Sequence, residues 1–422
     1  MSVTEPRLLR TPPVFRRDAA VHAWIAVKAL SDAGDAIWTI ALAWTAVQIA
    51  SPAVAGLIIA AGTLPRALIL LFGGVIADRA DARRVMILFN GLRVVVLIAV
   101  ALWVLVTPPS VAVLLFAAIA FGVCDAFYEP SASTIGRQMV RASDLPSYSA
   151  VSQTATRLGT MGGAAIGGVL VAHLGLTGSA SVNALTFALV VAFIAIWLRP
   201  RFALARADRE PTLRGIARGF AHLRDAPTTR TLVIALSGLN LAVGPAVGIG
   251  LALRASDEGW GAPAVGLFEA LLGLGAALGA VSVARWRPHR EAYAGFWALV
   301  VQGAGIAALG FSPFWGVAAA AFIIGATAGF ASVLLSSTFA ATVDTAYLGR
   351  MSSITRLGDD CLMPLAMAAF GALASAIALW VPFALYGAAM AAIMILPLRN
   401  RTFRTLSLRP ADDAAEGVRT SS

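Results

Sequence analysis

The residues that could do chemistry in this chain are charged side chains within long apolar runs. Asp35, Asp125 and Glu129 are carboxylates, and the last two are four positions apart, on one face of a helix. Asp32 lies one helical turn before Asp35, and Glu269 stands in a later run. A carboxylate that gains and loses a proton changes the cost of its exposure to lipid, and this can couple ion movement to helix movement. Static ion pairs that hold the helices together are the alternative interpretation.

Arginines stand at similar depth in the apolar runs and are candidate partners of these carboxylates. Arg66 follows Pro65, Arg157 lies in a later run, and Arg356 precedes Asp359 and Asp360. An arginine keeps its charge and cannot itself release a proton. We therefore predict Arg66, Arg157 and Arg356 to be electrostatic partners rather than proton carriers.

The composition is that of a membrane protein built from helices. The chain of 422 residues is 59% hydrophobic and 13% charged, whereas soluble proteins have about 25% charged residues. Runs of about 20 apolar residues recur, and a helix of that length crosses a hydrocarbon core of about 30 Å. The runs are too long for barrel strands and lack their alternation. The sequence therefore predicts an all-α integral membrane protein.

Several other classes of protein are excluded. The net charge of +10 could indicate nucleic-acid binding, but the arginines lie between the apolar runs rather than on one polar domain. Cys124 and Cys361 form no CxxC pair, and the four histidines are scattered, so no metal or cofactor is predicted. The chain has no nucleotide-binding GxxxxGK[ST] motif and no paired catalytic set, which argues against an ATP-driven pump and against an enzyme.

The apolar runs predict twelve transmembrane helices in two six-helix halves. The predicted spans are 20–49, 53–77, 85–106, 110–136, 147–172, 175–198, 229–253, 262–284, 291–311, 313–342, 351–376 and 378–398. The predicted units are an N-terminal tail 1–19, a first half 20–198, a linker 199–228, a second half 229–398 and a C-terminal tail 399–422. Arginines cluster in alternate loops, which predicts a multi-pass protein of the cell membrane, inner or plasma, with both termini in the cytoplasm.

The linker between the halves is predicted to contain a short basic amphipathic helix on the membrane surface. Leu213, Ile216, Phe220 and Leu223 recur at helical spacing, with arginines at other positions. A solvated linker without such a helix is the alternative.

The two halves repeat each other in sequence. Thr-Arg-Leu-Gly at 156–159 recurs at 355–358, and Ala-Leu-Ser at 29–31 recurs at 235–237. A shift of 206 positions carries the loop after the second span onto the loop after the eighth, where Ala284 replaces Asp78. Parallel repeats of six helices are a known transporter architecture.

The loop after the second span carries a motif that resembles the major facilitator signature, G-x-x-x-D-R-x-G-R-[RK]. Its residues are Gly73, Gly74, Asp78, Arg79, Arg83 and Arg84, and Asp81 or Ala82 stands where the family often has Gly. The resemblance implies that Asp78 and the arginines form a charge relay that stabilises one conformation.

Two further segments carry the resemblance. The fifth span contains Gly159, Gly163, Gly167 and Gly168 in a pattern similar to the antiporter motif G-x-x-x-G-P-x-x-G-G, with Ala164 in place of Pro. These glycines allow close helix approach, and ordinary small-residue packing is the alternative. The first span, at 30–35, is similar to the macrolide-efflux and siderophore-exporter branch of the superfamily.

The resemblance implies a secondary transporter that works by alternating access. We expect a proton-coupled exporter, an antiporter for efflux of small amphiphilic compounds such as drugs or siderophore-like metabolites, with a multidrug-resistance phenotype. The expected partners are the small-molecule substrate, protons and membrane lipids, and the expected state is a monomer. An importer or uniporter of the same fold, and a scaffold or receptor that does not transport, remain alternatives.

The expected cavity is large and mainly apolar. The residues predicted to line it are Trp38, Phe127, Asn240, Phe268 and Phe339. Asn240 is followed by Gly244 and Pro245, which would interrupt helical hydrogen bonding near mid-depth. Such an interruption marks a binding site, and a simple kink is the alternative.

Overall fold

A computed structural model describes residues 13–72, 81–202, 212–344 and 347–405. Within these ranges the chain is almost entirely helical, and no strand occurs. The long helices of the first half are α1 (Ala19–Ile49), α2 (Pro52–Phe72), α3 (Ala82–Val106), α4 (Val111–Met139) and a helix over Leu145–Ile196. Gly175 divides this last helix into α5 (145–174) and α6 (176–196), because its φ of 61° is not helical.

The second half repeats this pattern after a linker. The linker helix, Thr212–Asp225, is followed by α7 (Pro227–Asp257), α8 (Ala262–Arg285), α9 (Glu291–Leu309), α10 (Phe314–Thr342), α11 (Leu348–Ala376) and α12 (Trp380–Arg399). A short helix, Arg401–Thr405, follows. This linker helix lies within the predicted linker, 199–228, and its position on the membrane surface stays a prediction. The turn predicted at 173–174, between the fifth and sixth spans, lies instead at a single residue, Gly175.

Local signals explain where several helices begin. The Asp18 side chain accepts a hydrogen bond from the Val21 backbone N–H at the start of α1, at 3.3 Å. Asp81 accepts from the Arg83 backbone N–H at the start of α3, at 2.9 Å. Such caps satisfy backbone donors that have no partner within the helix.

The predicted interruption in α7 is present as a change of helix type. Its α-helical part ends at Pro245, and a π-helical turn, Ala246–Gly250, precedes the last segment, Leu251–Asp257. Proline removes one helical hydrogen bond, and π turns frequently occur at functional positions.

Many of these helices are suited to a lipid environment. In the described part of the chain, nine helices are long and apolar enough to cross a membrane, and one of them, Ala142–Ile196, contains the break at Gly175. On α3, Leu88, Val95 and Leu102 form an exposed apolar stripe. Stripes of this kind are rare on soluble monomers and are expected where a helix faces acyl chains.

The two halves contact each other mainly through α2 with α11 and α5 with α8. Close packing occurs at the end of the bundle away from the Arg-rich loops, where a Cβ on Gly56 would lie 3.0 Å from the Cα of Gly371. At the same end, the Gln48 side chain of α1 donates a hydrogen bond to Ser256 of α7, at 2.9 Å. At the Arg-rich end, His222 of the linker helix stacks on Tyr347, with ring centroids 4.0 Å apart.

Candidate functional site: a buried arginine between two carboxylates

The centre of the first half is organised around Arg93 of α3, a residue that the sequence analysis did not select. Its side chain is only 1% exposed. One guanidinium nitrogen, Nη2, is hydrogen-bonded to Asp125 Oδ1 of α4. The other, Nη1, lies 3.7 Å from Asp35 Oδ1 of α1 and donates a hydrogen bond to Asn90 Oδ1 at 3.1 Å. One cation therefore connects three helices through two carboxylates.

Aromatic rings enclose the rest of the guanidinium. The Arg93 Cζ atom lies 4.7 Å from the ring centroid of Tyr128, 5.1 Å from that of Phe187 and 6.0 Å from that of Phe121. These distances are in the range of cation–π attraction, which is strongest where water is excluded. The rings and the two carboxylates together stabilise a charge that would otherwise be costly inside a membrane.

The two carboxylates are more accessible than the arginine that joins them. The side chains of Asp35 and Asp125 are 33% and 39% exposed, so each has a face that is not covered by protein. Glu129 lies one turn beyond Asp125 on α4 and is exposed. The cluster thus consists of a buried arginine, Arg93, and of two carboxylates, Asp35 and Asp125, that are partly exposed.

A second ion pair lies on the same face of α1, one turn before Asp35. Lys28 Nζ contacts both carboxylate oxygens of Asp32, at 3.0 and 2.9 Å, and donates to Thr156 Oγ1 of α5 at 3.0 Å. Asp32 was among the predicted site residues, whereas Lys28 was not. A charged residue four positions away on the same helix face is the signal that could have found it.

The arginines predicted as partners take other positions. The side chain of Arg66 lies outside the described residues. Arg157 of α5 forms no ion pair among the described residues, and its Nη1 instead approaches the backbone carbonyl of Ala276 in α8, at 3.5 Å. Arg356 is exposed and likewise forms no ion pair within the described ranges. The cation that pairs with Asp35 and Asp125 is instead Arg93 of α3.

Glu269 of α8 has a different environment from the carboxylates of the first half. It is half-buried, and it forms no hydrogen bond or ion pair with any residue that the structure describes. The opposite face of α8 carries the exposed side chains of Leu267, Leu274 and Leu278. Glu269 therefore faces the interior of the bundle as a carboxylate without a partner in the described part of the chain.

A polar contact between α7 and α11 lies in the same half. The Asn240 side chain donates to Asp359 Oδ2 at 2.6 Å, and Ser237 Oγ donates to the Thr355 carbonyl at 3.4 Å. Asn240 is exposed. This pair is the counterpart, in the second half, of the polar contacts made by α1.

The aromatic residues predicted to line a cavity are mainly packed. Trp38 is 3% exposed and stacks on Phe121 with centroids 4.8 Å apart, and Phe268 is fully buried against Trp260 and Phe314. Phe339 is 9% exposed. Phe127 is half-buried and stacks on Phe89 at 4.5 Å. In this conformation only Phe127 and Asn240 of the five present an appreciable surface.

The glycines of α5 lie where two helices approach its backbone. A Cβ on Gly159, Gly163 or Gly167 would collide with the backbone of α1 at Ala29, Ala33 or Ile37. A Cβ on Gly168 would instead lie 2.6 Å from the Ala262 carbonyl oxygen and 3.2 Å from the Cα of Gly266, both in α8. Gly168 is therefore at the contact between the halves.

Part of the signature motif lies outside the described residues, namely Gly73, Gly74, Asp78 and Arg79. The described part begins at Asp81, whose side chain is 3.8 Å from Arg84 Nε. Arg83 Nε donates to the Ile194 carbonyl of α6 at 3.0 Å, and Nη2 donates to the Ala195 carbonyl at 2.5 Å. Arg83 thus connects the start of α3 to the end of α6 through hydrogen bonds.

Comparison with known proteins identifies the class to which this bundle belongs. The model of the Major Facilitator Superfamily matches residues 25–360, and the chain belongs to that family. It is a multi-pass membrane transporter and not an enzyme.

Solved structures of transporters share the fold. The nucleoside transporter NupG superposes with a TM-score of 0.73 over 89% of this chain and 99% of that one, at 13% identity. A POT family transporter in complex with 5-aminolevulinic acid gives a TM-score of 0.69 over 92% and 97% of the two chains, at 12% identity.

Two curated relatives are enterobactin exporters named EntS. The protein of Shigella dysenteriae serotype 1 is 28% identical over 218 residues, and that of Escherichia coli O1:K1 is 29% identical over 222 residues. Each match covers 50% of this chain and 50% of the relative. The chain thus spans about half the length of the curated relatives it matches.

Proposed function

We propose that this protein is a proton-coupled exporter of small amphiphilic compounds. It has twelve transmembrane helices in two six-helix halves, with both termini on the cytoplasmic side of the cell membrane. It works as a monomer by alternating access, and protons that enter the cell drive the substrate out.

The cluster of Asp35, Arg93 and Asp125 is the observation that carries this proposal. A single cation shared by two carboxylates leaves one net negative charge, and protonation of either carboxylate leaves the other fully paired with Arg93. The open faces of Asp35 and Asp125 give protons a route to the cluster. A change of partner at Arg93 would alter the side-chain contacts that join α3 to α1 and to α4, which couples protonation to helix movement.

The similarity to the enterobactin exporters supports export as the direction and favours siderophore-like metabolites as substrates. The glycine pattern of α5 gives the same direction independently, through its resemblance to the antiporter motif. Glu269 extends the proposal to the second half, because a carboxylate without a protein partner is available to a proton or to a cationic group of the substrate.

The direct test measures efflux in cells that overproduce the protein. A fluorescent lipophilic cation is loaded, and its accumulation is compared with and without a protonophore, for the unaltered protein and for Asp35→Asn. Asp257→Asn is the matched control, because Asp257 is an exposed carboxylate at the end of α7. We expect lower accumulation that requires both the proton gradient and Asp35. A catechol siderophore, measured in the medium by mass spectrometry, is the second substrate.

Three other outcomes would redirect the proposal. Efflux that survives the protonophore would exclude proton coupling. Higher accumulation in the overproducer would show import. No transport of either compound, together with a loss of thermal stability in Asp35→Asn, would favour a structural role for the cluster in a scaffold or receptor.

A further inference from the structure

We propose that the Arg-rich end of α8 holds a binding site for the phosphate group of an anionic phospholipid. A pocket of about 530 Å³ opens between the end of α8 and the start of α9. We call it the basic pocket, and its lining consists of Arg285, Trp286, Arg287, Pro288, His289, Arg290, Tyr293 and Ala294. This site is distinct from the central charge cluster and does not depend on the proposed function.

Two arginines of the basic pocket, Arg285 and Arg290, have side chains without a partner among the residues that the structure describes. Arg285 and Arg290 are exposed and form no hydrogen bond or ion pair through their side chains within the described ranges. Arg287, in contrast, is paired with Glu291, with Nε 2.7 Å from Oε1 and Nη2 3.2 Å from Oε2. The pocket therefore offers two guanidinium groups to an anion, and hydrogen bonds from guanidinium to phosphate are among the strong ones in proteins.

The internal repeat explains why positive charge accumulates here. The equivalent loop of the first half has carboxylates at Asp78 and Asp81, whereas the shift of 206 positions places Ala284 and Arg287 there. In the first half, moreover, Arg83 is bound to backbone carbonyls of α6. The second copy thus has no carboxylate at these two positions, while Arg79 and Arg84 correspond to Arg285 and Arg290, and Arg83 corresponds to His289.

The surface next to the pocket indicates a lipid rather than a soluble phosphate. Leu274, Leu278 and Val281 are exposed along one face of α8, and Arg285 continues that face at the end of the helix. A phosphate at Arg285 would place its acyl chains along this apolar stripe. Trp286 is 69% exposed and stacks on Phe330 of α10, with centroids 6.4 Å apart. Tryptophan in this position is typical of the membrane–water interface.

The test counts lipids bound to the purified protein. The protein is titrated in detergent with phosphatidylglycerol or with phosphatidylcholine, and bound lipid is measured by native mass spectrometry. We expect preferential retention of phosphatidylglycerol, and retention about thirtyfold weaker in Arg285→Gln/Arg290→Gln, since each basic side chain at an anionic surface contributes about fivefold. Arg285→Lys/Arg290→Lys should retain most of the affinity.

Arg224→Gln/Arg399→Gln is the matched control, because both arginines are exposed at the same end but lie outside the pocket. An equal loss of phosphatidylglycerol retention in this control would show that diffuse surface charge, and not the pocket, binds the lipid, and would overturn the proposal. Unchanged retention in Arg285→Gln/Arg290→Gln would also overturn it. A third arm adds sodium phosphate without lipid, and displacement of phosphatidylglycerol by millimolar inorganic phosphate would assign the site to a soluble phosphate instead.

Discussion

Two carboxylate sites within the helix bundle, the Arg93 cluster of the first half and Glu269 of the second, have opposite environments. In the first half, Asp35 and Asp125 share the buried guanidinium of Arg93, and aromatic rings surround that cation. In the second half, Glu269 lies in the bundle interior without a partner among the described residues. The two halves therefore both consist of long helices, but the electrostatic environments of these carboxylates differ.

This difference indicates two roles for a carboxylate, stabilisation of helix packing and availability to a proton or substrate, which one residue cannot fill at the same time. A carboxylate held by an arginine stabilises the packing of several helices, and removal of the arginine leaves an uncompensated charge. A carboxylate without a partner adds nothing to packing and carries an energetic cost, which is why such residues inside membranes are expected to have a function. The Arg93 cluster is thus predicted to matter for stability as well as activity, and Glu269 for activity alone.

Arg93→Met should have the largest effect and would test this comparison most directly. It leaves Asp35 and Asp125 side by side without a cation, and loss of one partner of a buried pair costs about 3–5 kcal/mol. We expect a large loss of thermal stability in detergent and no transport. Arg93→Met/Asp125→Asn should recover part of the stability, because the cluster then has one net negative charge again. Equal instability of the single and double variants would contradict this account.

Glu269→Gln should abolish coupled transport without loss of stability. Glutamine keeps the shape of the side chain and removes an unpartnered charge, so the free energy of unfolding should stay constant or increase by about 1 kcal/mol. Asp125→Asn is the comparison, since it removes an ion pair and should lower stability. The measurements are substrate efflux and thermal unfolding of the purified variants. A stability loss in Glu269→Gln as large as that in Asp125→Asn would show that Glu269 has a structural partner.

Gly168→Leu should disturb the contact between the halves rather than either half alone. The leucine side chain would clash with the backbone of α8 near Ala262. Such overpacking costs about 1–3 kcal/mol. We expect the halves to separate at this end. Spin labels on Gln48→Cys and Ser256→Cys, in a chain with Cys124→Ser and Cys361→Ser, measure that separation. Gly162→Leu is the control, because a Cβ on Gly162 meets no atom within 4 Å. An unchanged distance in Gly168→Leu would be inconsistent with a close contact here.

Asp32→Asn should have the smallest effect of the four. The side chains of Lys28 and Asp32 are 22% and 12% exposed, so their ion pair is partly screened and contributes about 1 kcal/mol. Lys28 also keeps its hydrogen bond to Thr156. We expect transport to fall less than in Asp35→Asn, measured in the same efflux assay. A loss as complete as that of Asp35→Asn would place Asp32 in the coupling step and extend the cluster along α1.

Much of the helical framework was predictable from the sequence, because apolar runs and polar interruptions have a direct structural meaning in lipid. The run predicted at 110–136 is the helix Val111–Met139, and the linker helix lies within the predicted polar stretch. Boundaries were less accurate, since a helix can continue past its apolar part: α7 extends to Asp257 through a π turn. The turn between the fifth and sixth spans was predicted at 173–174, just before the break at Gly175, and its form as one residue with positive φ was not visible in the pattern.

The partners within the candidate site were less predictable. Asp35 and Asp125 were selected because they are charged residues in apolar runs, and the structure places both beside Arg93. Arg93 also stands in an apolar run, with the polar Asn90 three positions earlier, so its position in the sequence indicates a buried polar site as clearly as that of the carboxylates. Which arginine meets which carboxylate depends on the order of helices around the bundle, and no spacing along the chain encodes that order.

The burial of Arg93 also has a consequence for how the protein is made. An arginine at the centre of a helix costs about 2.5–3.5 kcal/mol during membrane insertion. When α3 enters the membrane, Asp35 has already been synthesised, but Asp125 has not. Arg93 is thus synthesised after Asp35, its more distant partner, and before Asp125, to which it is hydrogen-bonded. Insertion of α3 is therefore expected to require α1 to remain beside the insertion machinery until α4 arrives, so that the first half is assembled as a unit during translation.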